Sequence, residues 1–132
     1  MAIAAFRRLR QFEGSPGVSL ASRGEALELK FARGDIEVKV LVPESVLEWF
    51  VDVEQPSSGS RVSDWCDYEG YGSTPSAKLE ADMAEEVAAF VNQLIERDLR
   101  YVQDSKRSTS GVLEWLIDGQ WEQALPFVVP AA

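Results

Sequence analysis

The strict alternation of apolar and charged residues over positions 27–40 constrains this chain more than any other feature of its sequence. Apolar residues occupy every second position on either side of Arg33-Gly34. Such a pattern is typical of β-strands that have one buried and one solvated face. Glycine tolerates the positive φ that a tight turn requires. The segment therefore predicts an antiparallel hairpin over 27–42, with its turn at Arg33-Gly34.

A helical repeat follows at residues 77–98. Apolar side chains recur there at three- and four-residue steps, which is the spacing of one helix face. We predict a single amphipathic helix, with Thr74 as its N-cap and Pro75 at its first position. The apolar stripe comprises Leu79, Met83, Val87, Phe90, Val91, Leu94 and Ile95.

Further strands are predicted on both sides of this helix, at 46–53, 61–68, 99–102 and 112–117. Length and β-branched content favour a strand at 46–53, and a short helix after Pro43 is the alternative. Asp118-Gly119 is a strong turn signal and predicts a second hairpin that includes Trp121. A helix over 112–118 is the alternative there.

Strands, one long helix and further strands predict an α+β fold. We expect an antiparallel sheet of about four to six strands, with the helix packed on one face. The length of 132 residues suits one domain. Within it we expect an N-terminal segment and loop at 1–25, in which the first dozen residues form a short helix. The α+β core is expected at 26–126 and a tail at 127–132.

Two segments of the chain resemble each other. Residues 46–52 read VLEWFVD and residues 112–118 read VLEWLID, sixty-six positions apart. A duplicated half-domain would show further matches at this offset, and we find none, so chance explains the similarity better than duplication. The two segments are nevertheless candidates for equivalent strands.

The residue types present exclude several kinds of chemistry. The chain has no histidine and one cysteine, Cys66. This excludes Ser-His-Asp and Cys-His catalysis, histidine-based metal sites and an internal disulfide. Gly70-Tyr-Gly72 precedes the helix but lacks the rest of a phosphate-binding motif. Cys66 has no basic neighbour in sequence, so we interpret it as a small buried hydrophobe. We therefore predict no catalysis, no metal and no cofactor.

The charge of the chain is concentrated in its middle. There are 22 acidic and 13 basic residues in all, a net charge of −9. Residues 41–98 hold 13 of the acidic and 3 of the basic residues, a net of −10. Nucleic acid and anionic membranes require clustered cations, so both are poor candidates as partners. A basic protein is the natural complement, although acidic charge also serves solubility alone.

Nothing in the sequence suggests export or membrane insertion. The first 12 residues are apolar first and basic second, the opposite order to a secretory signal. No apolar run approaches the ~20 residues of a membrane helix. A single cysteine fits a reducing compartment. We therefore predict a cytoplasmic protein.

Carboxylates and aromatic residues are interleaved most tightly at positions 63–71. Aromatic side chains dominate the energetics of interfaces, and neighbouring carboxylates pair with Arg or Lys of a partner. The alternative is that Trp65 and Tyr68 belong to the core. The predicted partner-binding residues are Asp64, Trp65, Asp67, Tyr68, Glu69 and Tyr71, with Glu48 and Asp52 as neighbours. A second candidate surface is the acidic helix face formed by Glu80, Asp82, Glu85 and Glu86.

This segment and the helix after it resemble small bacterial proteins of the immunity type. The resemblance rests on Ser63-Asp64-Trp65, Asp67-Tyr68 and Gly70-Tyr71 followed by the acidic helix, and it covers residues 26–102. It implies a cytoplasmic protein that blocks a cognate toxin by binding it, without catalysis. The alternatives are an accessory or scaffold domain with a permanent partner, and a carboxylate-based enzyme or small-ligand pocket.

Overall fold

Two antiparallel sheets and two helices make up the protein, as a computed structural model shows for residues 3–68, 76–104 and 107–124. The first sheet contains five strands in the order β1-β2-β3-β4-β5, and the second contains three in the order β6-β7-β8. The α+β prediction is confirmed, with two sheets in place of one. The elements are α1 (Ile3–Arg10), β1 (Val18–Arg23), β2 (Ala26–Arg33), β3 (Ile36–Pro43), β4 (Glu48–Gln55), β5 (Ser60–Asp67), α2 (Ser76–Glu96), β6 (Leu99–Asp104), β7 (Arg107–Ile117) and β8 (Gln120–Gln123).

The predicted hairpin is formed by β2 and β3. Its alternating apolar side chains are buried, and its charged side chains lie on the opposite face. Arg33 pairs with Ile36, so the two-residue loop is Gly34-Asp35 and the predicted turn at Arg33-Gly34 is wrong by one residue. Gly34 has a φ of 57°, as expected for the first central residue of such a loop.

The strand predictions are confirmed at both ambiguous segments and the helix alternatives are wrong, because 48–55 and 107–117 are strands. The turn at Asp118-Gly119 is confirmed, and both residues have positive φ values. The prediction of a loop over 13–25 is wrong for residues 18–23. Those residues form β1, whose Leu20 lies opposite Leu29 of β2. Pairing with a strand that is already apolar on one face compensates for a short and partly polar sequence.

The long helix α2 joins the two sheets through its apolar stripe. Most of the predicted stripe is buried, and Leu79 and Ile95 are half-buried against the core. Phe90 lies between two tryptophans, with ring centroids 5.7 Å from Trp49 of β4 and 5.8 Å from Trp115 of β7. The predicted cap residues Thr74 and Pro75 and the tail 127–132 lie outside the described residues.

Helix α1 packs against α2 and shares its core. Ala5 and Leu9 are fully buried in the same apolar cluster as the sheet residues. The backbone N–H of Ala4 donates to Glu80 Oε1 at 3.1 Å, which satisfies one of the free donors at the start of α1. The N-terminal segment is therefore part of the core.

The C-terminal end of α2 is capped by the β2–β3 hairpin. Arg33 donates from Nη1 to the carbonyl of Arg97 at 2.6 Å and from Nη2 to that of Ile95 at 2.7 Å. The last carbonyls of a helix lack partners within the helix, and its dipole favours a cation there. One side chain thus fixes the helix against the five-stranded sheet.

We expect Phe90→Ala to lower the free energy of unfolding by roughly 3–5 kcal/mol, because it leaves a cavity between Trp49 and Trp115. Urea denaturation followed by circular dichroism measures the loss. Asn92→Ala, at an exposed position of the same helix, is the matched control and should change stability by less than about 0.5 kcal/mol. Equal effects of the two substitutions would contradict this packing.

Candidate binding surface

The outer face of the five-stranded sheet, opposite α2, carries an apolar row among polar side chains. The strand register places Leu41 beside Phe50 and Phe50 beside Trp65, so the three residues cross β3, β4 and β5 in line. Directly opposite residues in an antiparallel pair point to the same face of the sheet. We call Leu41, Phe50 and Trp65 the apolar row.

Trp65 is the most exposed large apolar side chain of the described residues, with 52% of its surface accessible. Its ring stacks on Phe50 with a centroid distance of 6.3 Å and an angle of 21° between the planes. With this stacking, about half of the surface of Trp65 stays open to solvent. An open groove of about 570 Å³ runs beside it, lined by Leu41, Phe50, Val51, Asp52, Ser63, Asp64 and Trp65.

Asp52 borders one side of the apolar row and is held by two donors. Arg61 donates to Oδ2 at 2.5 Å, and Ser63 Oγ donates to Oδ1 at 2.8 Å. Partial burial by itself would raise the pKa of Asp52. The two hydrogen bonds, with the charges of Arg61 and Lys39, outweigh burial and lower that pKa below its ordinary value. Asp52 is therefore ionised at neutral pH.

Two more predicted carboxylates, Glu48 and Asp67, border the other side of the row. They lie directly opposite each other on β4 and β5, and both are half-buried. Within the part of the chain that the structure describes, Glu48 forms no ion pair. Like charges directly opposite each other destabilise a sheet slightly. Asp64 lies opposite the buried Val51, so strand alternation places its side chain on the face opposite Trp65. It accepts a hydrogen bond from the backbone N–H of Trp65 at 2.8 Å.

Tyr68 does not belong to this surface, which corrects its assignment as a partner-binding residue. Only 4% of the residue is accessible, and it lies in the apolar core. Trp49 Nε1 donates to the Tyr68 hydroxyl at 3.2 Å, and the hydroxyl donates to Glu86 Oε2. Three positions separate Tyr68 from Trp65, so strand alternation sends their side chains to opposite faces. The alternative of a core role is correct for Tyr68 and wrong for Trp65.

Cys66 and the carboxylates of the described residues form neither an activated nucleophile nor a metal-binding group. Burial raises the pKa of the Cys66 thiol, and the nearby carboxylates Glu86, Asp67 and Asp64 add to this effect, whereas a hydrogen bond with Tyr68 opposes it. A protonated thiol is a poor nucleophile. No three Cys, Asp or Glu side chains of residues 3–68, 76–104 and 107–124 converge as metal ligands. Glu69 and Tyr71 lie outside the described residues.

The second candidate surface, the acidic face of α2, has its carboxylates already engaged. Glu80 accepts the Ala4 amide, and Glu86 accepts the Tyr68 hydroxyl. Asp82 pairs with Lys78 at 2.7 Å, and Glu85 pairs with Arg8 at 3.3 Å. These contacts neutralise much of the charge that the sequence places on this face. The apolar row is therefore the stronger candidate for partner binding.

Leu41 and Phe50 are members of the surface that the sequence interpretation missed. A signal for Leu41 was present, because it occupies a solvated position in the alternation of β3, in phase with Glu37 and Lys39. Phe50 alternates in the same way with the buried Trp49 and Val51. An apolar residue on the solvated face of an otherwise regular strand marks a surface that merits attention.

Comparisons of the chain with protein-family models, with curated proteins and with solved structures find no match. Neither α1 nor α2 combines the length and the apolar composition that crossing a bilayer requires, and no other helix lies within the described residues.

We expect Tyr68→Phe to change stability more than partner binding. Burial and the bond to Glu86 raise the pKa of Tyr68 well above its ordinary value of about 10. Above pH 10 the unfolded chain therefore loses a proton that the folded chain keeps, and wild-type stability falls as the pH rises. Tyr68 should contribute up to about 1.4 kcal/mol per pH unit to that fall.

Urea denaturation between pH 8 and pH 11 measures this difference, since Tyr68→Phe removes only the contribution of Tyr68. At neutral pH the variant should lose about 1 kcal/mol, because the Trp49 indole and Glu86 lose a partner. Parallel stability curves for the wild type and the variant above pH 10 would contradict the assignment of Tyr68 to the core.

Proposed function

We propose that the chain is a non-catalytic protein-binding module and that the outer face of β3, β4 and β5 contacts a basic protein. The observation that carries this proposal is the half-exposed Trp65, stacked on Phe50 in an apolar row with carboxylates on both sides. A large ring held in place by a neighbour offers contact area at low entropic cost, as interface hot spots do.

The charges around the row support a basic partner. Glu48 and Asp67 border one side, and Asp52 borders the other with Arg61 bound to it. Arg61 neutralises Asp52, whereas Glu48 on the other side forms no ion pair within the described residues. Acidic groups at the rim accelerate association with a basic surface, while the buried aromatic ring slows dissociation.

The resemblance to immunity-type proteins suggests which kind of basic protein the partner is. Under this proposal the partner is a toxin domain with a basic cleft, and the acidic surface occludes its active site. The protein then acts in the cytoplasm, where it protects the cell that makes it. An accessory domain with a permanent partner would use the same surface, so a test of protection must separate the two functions.

We expect Trp65→Ala to weaken binding by about 2 kcal/mol or more, chiefly through faster dissociation. Asp67→Asn should slow association and reduce its dependence on salt. The partner is captured from native bacterial lysate on immobilised wild type, and binding kinetics are then measured at two salt concentrations. Val102→Ala is the matched control, because Val102 is the other exposed large apolar side chain among the described residues, at 43%, and belongs to the three-stranded sheet.

Folding of each variant is checked by circular dichroism before binding is measured. Wild-type binding by folded Trp65→Ala and Asp67→Asn would move the contact surface elsewhere. Expression of the captured protein in a bacterial host, with and without this chain, separates the two functions. Toxicity that the chain suppresses supports an immunity function, whereas a harmless captured protein supports the accessory domain.

We expect no turnover in a screen against glycosides, phosphoesters and nucleic acids, since the residues above provide no nucleophile paired with a base. Turnover above background that Asp64→Asn or Asp67→Asn abolishes would identify a carboxylate-based enzyme and would contradict the proposal.

A further inference from the structure

The two similar segments of the sequence occupy equivalent places in the two sheets. Residues 46–52 extend into β4 and residues 112–118 end β7, and each forms part of a strand with a neighbour on both sides. Trp49 and Trp115 stand at matching positions, and both pack against Phe90. The three strands β3-β4-β5 therefore correspond to β6-β7-β8 about the helix.

The correspondence extends to the outer faces. In each set of three strands, the middle strand, β4 or β7, carries a glutamate followed two residues later by an apolar side chain. That apolar side chain lies opposite a tryptophan of the next strand. The pairs are Glu48 with Asp67 and Phe50 with Trp65 in the larger sheet, and Glu114 with Gln123 and Leu116 with Trp121 in the smaller.

In the smaller sheet an arginine lies beside the glutamate and the tryptophan. Arg100 of β6 lies opposite Glu114 and donates from Nε to Glu114 Oε1 at 2.7 Å. Its guanidinium also lies over the ring of Trp121, 4.3 Å from the centroid. A carboxylate and an indole face thus hold one guanidinium between them, by charge and by cation–π attraction.

The larger sheet has no arginine at the matching position. Continuing the register of β3 and β4 by two residues beyond Leu41 and Phe50 sets Pro43 across from Glu48. Arg61, the cation nearest along β5, is bound to Asp52 instead. Glu48 forms no ion pair within the described residues, and the Trp65 side chain is half exposed.

We infer that Trp65 and Glu48 receive an arginine side chain of the partner, in the way that Trp121 and Glu114 hold Arg100. This inference rests on the proposed function and specifies its contact. Arginine suits the site better than lysine, because a planar guanidinium stacks on an indole while its edge donates to a carboxylate. The carboxylate of Glu48, which forms no ion pair within the described residues, attracts a cation to the same place.

The test is an NMR titration at low salt with N-acetyl-arginine methylamide, and N-acetyl-citrulline methylamide is the uncharged isostere. The signals followed are the Glu48 amide and the Trp65 indole N–H, which is assigned through Trp65→Phe. We expect saturable shifts with the arginine compound and none with the citrulline compound. Glu48→Gln should weaken the binding by about two- to fivefold.

The smaller sheet provides an internal control. The indole of Trp121 should not respond in the wild type, because Arg100 already covers it, and should respond in Arg100→Ala. Shifts of Trp121 in that variant without shifts of Trp65 in the wild type would overturn the inference. The inference would also be overturned if neither indole signal shifts, if both compounds cause equal shifts, or if Glu48→Gln leaves the binding unchanged.

The outcome is separable from that of the proposed function. If a protein partner depends on Trp65 but the arginine compound does not bind, the arginine contact is wrong and the binding function stands. If the arginine compound binds at Trp65 and Glu48 but no captured protein depends on Trp65, the site stands and the protein-binding function fails.

Discussion

The contact of Phe90 with Trp49 and Trp115 is the interaction on which the rest of the structure depends. Each sheet has one apolar face, and neither sheet closes on itself. Because the Phe90 ring contacts a tryptophan of each sheet, the one helix α2 covers the apolar faces of both sheets. The burial of three aromatic side chains at one point contributes to offsetting the entropy lost when distant parts of the chain are ordered.

This packing decides which residues reach solvent. Because α2 takes the inner face of both sheets, most apolar side chains in phase with Trp49 or Trp115 are packed in the core. The opposite phase is left for binding. On the outer face of the smaller sheet, Arg100 already pairs with Glu114 and covers the ring of Trp121. In the larger sheet the apolar row and Glu48 face outward, and continuing the register sets Pro43 of β3, rather than a cation, across from Glu48.

Further contacts fix the edges of this arrangement. Arg33 binds the β2–β3 hairpin to the end of α2. The hydroxyls of Ser60 and Tyr101 form a hydrogen bond of 2.7 Å between the two sheets. Gly111 permits the second contact, because a Cβ at that position would lie about 2.5 Å from the Tyr101 ring. A rigid scaffold of this kind keeps Trp65 stacked on Phe50, and preorganisation of that sort lowers the entropic cost of binding.

Local sequence was sufficient for α2, for the turn at Asp118-Gly119 and for the strands other than β1, since periodicity and turn chemistry are properties of neighbouring residues. It also indicated that carboxylates and aromatics at 63–71 were unusual. It could not separate Trp65 from Tyr68, because either face of β5 was a possible core until α2 covered one of them. The apolar row and the correspondence between Trp65 and Trp121 depend on strand register, which brings together residues far apart in the chain. Tertiary structure alone therefore decided which residues form the surface.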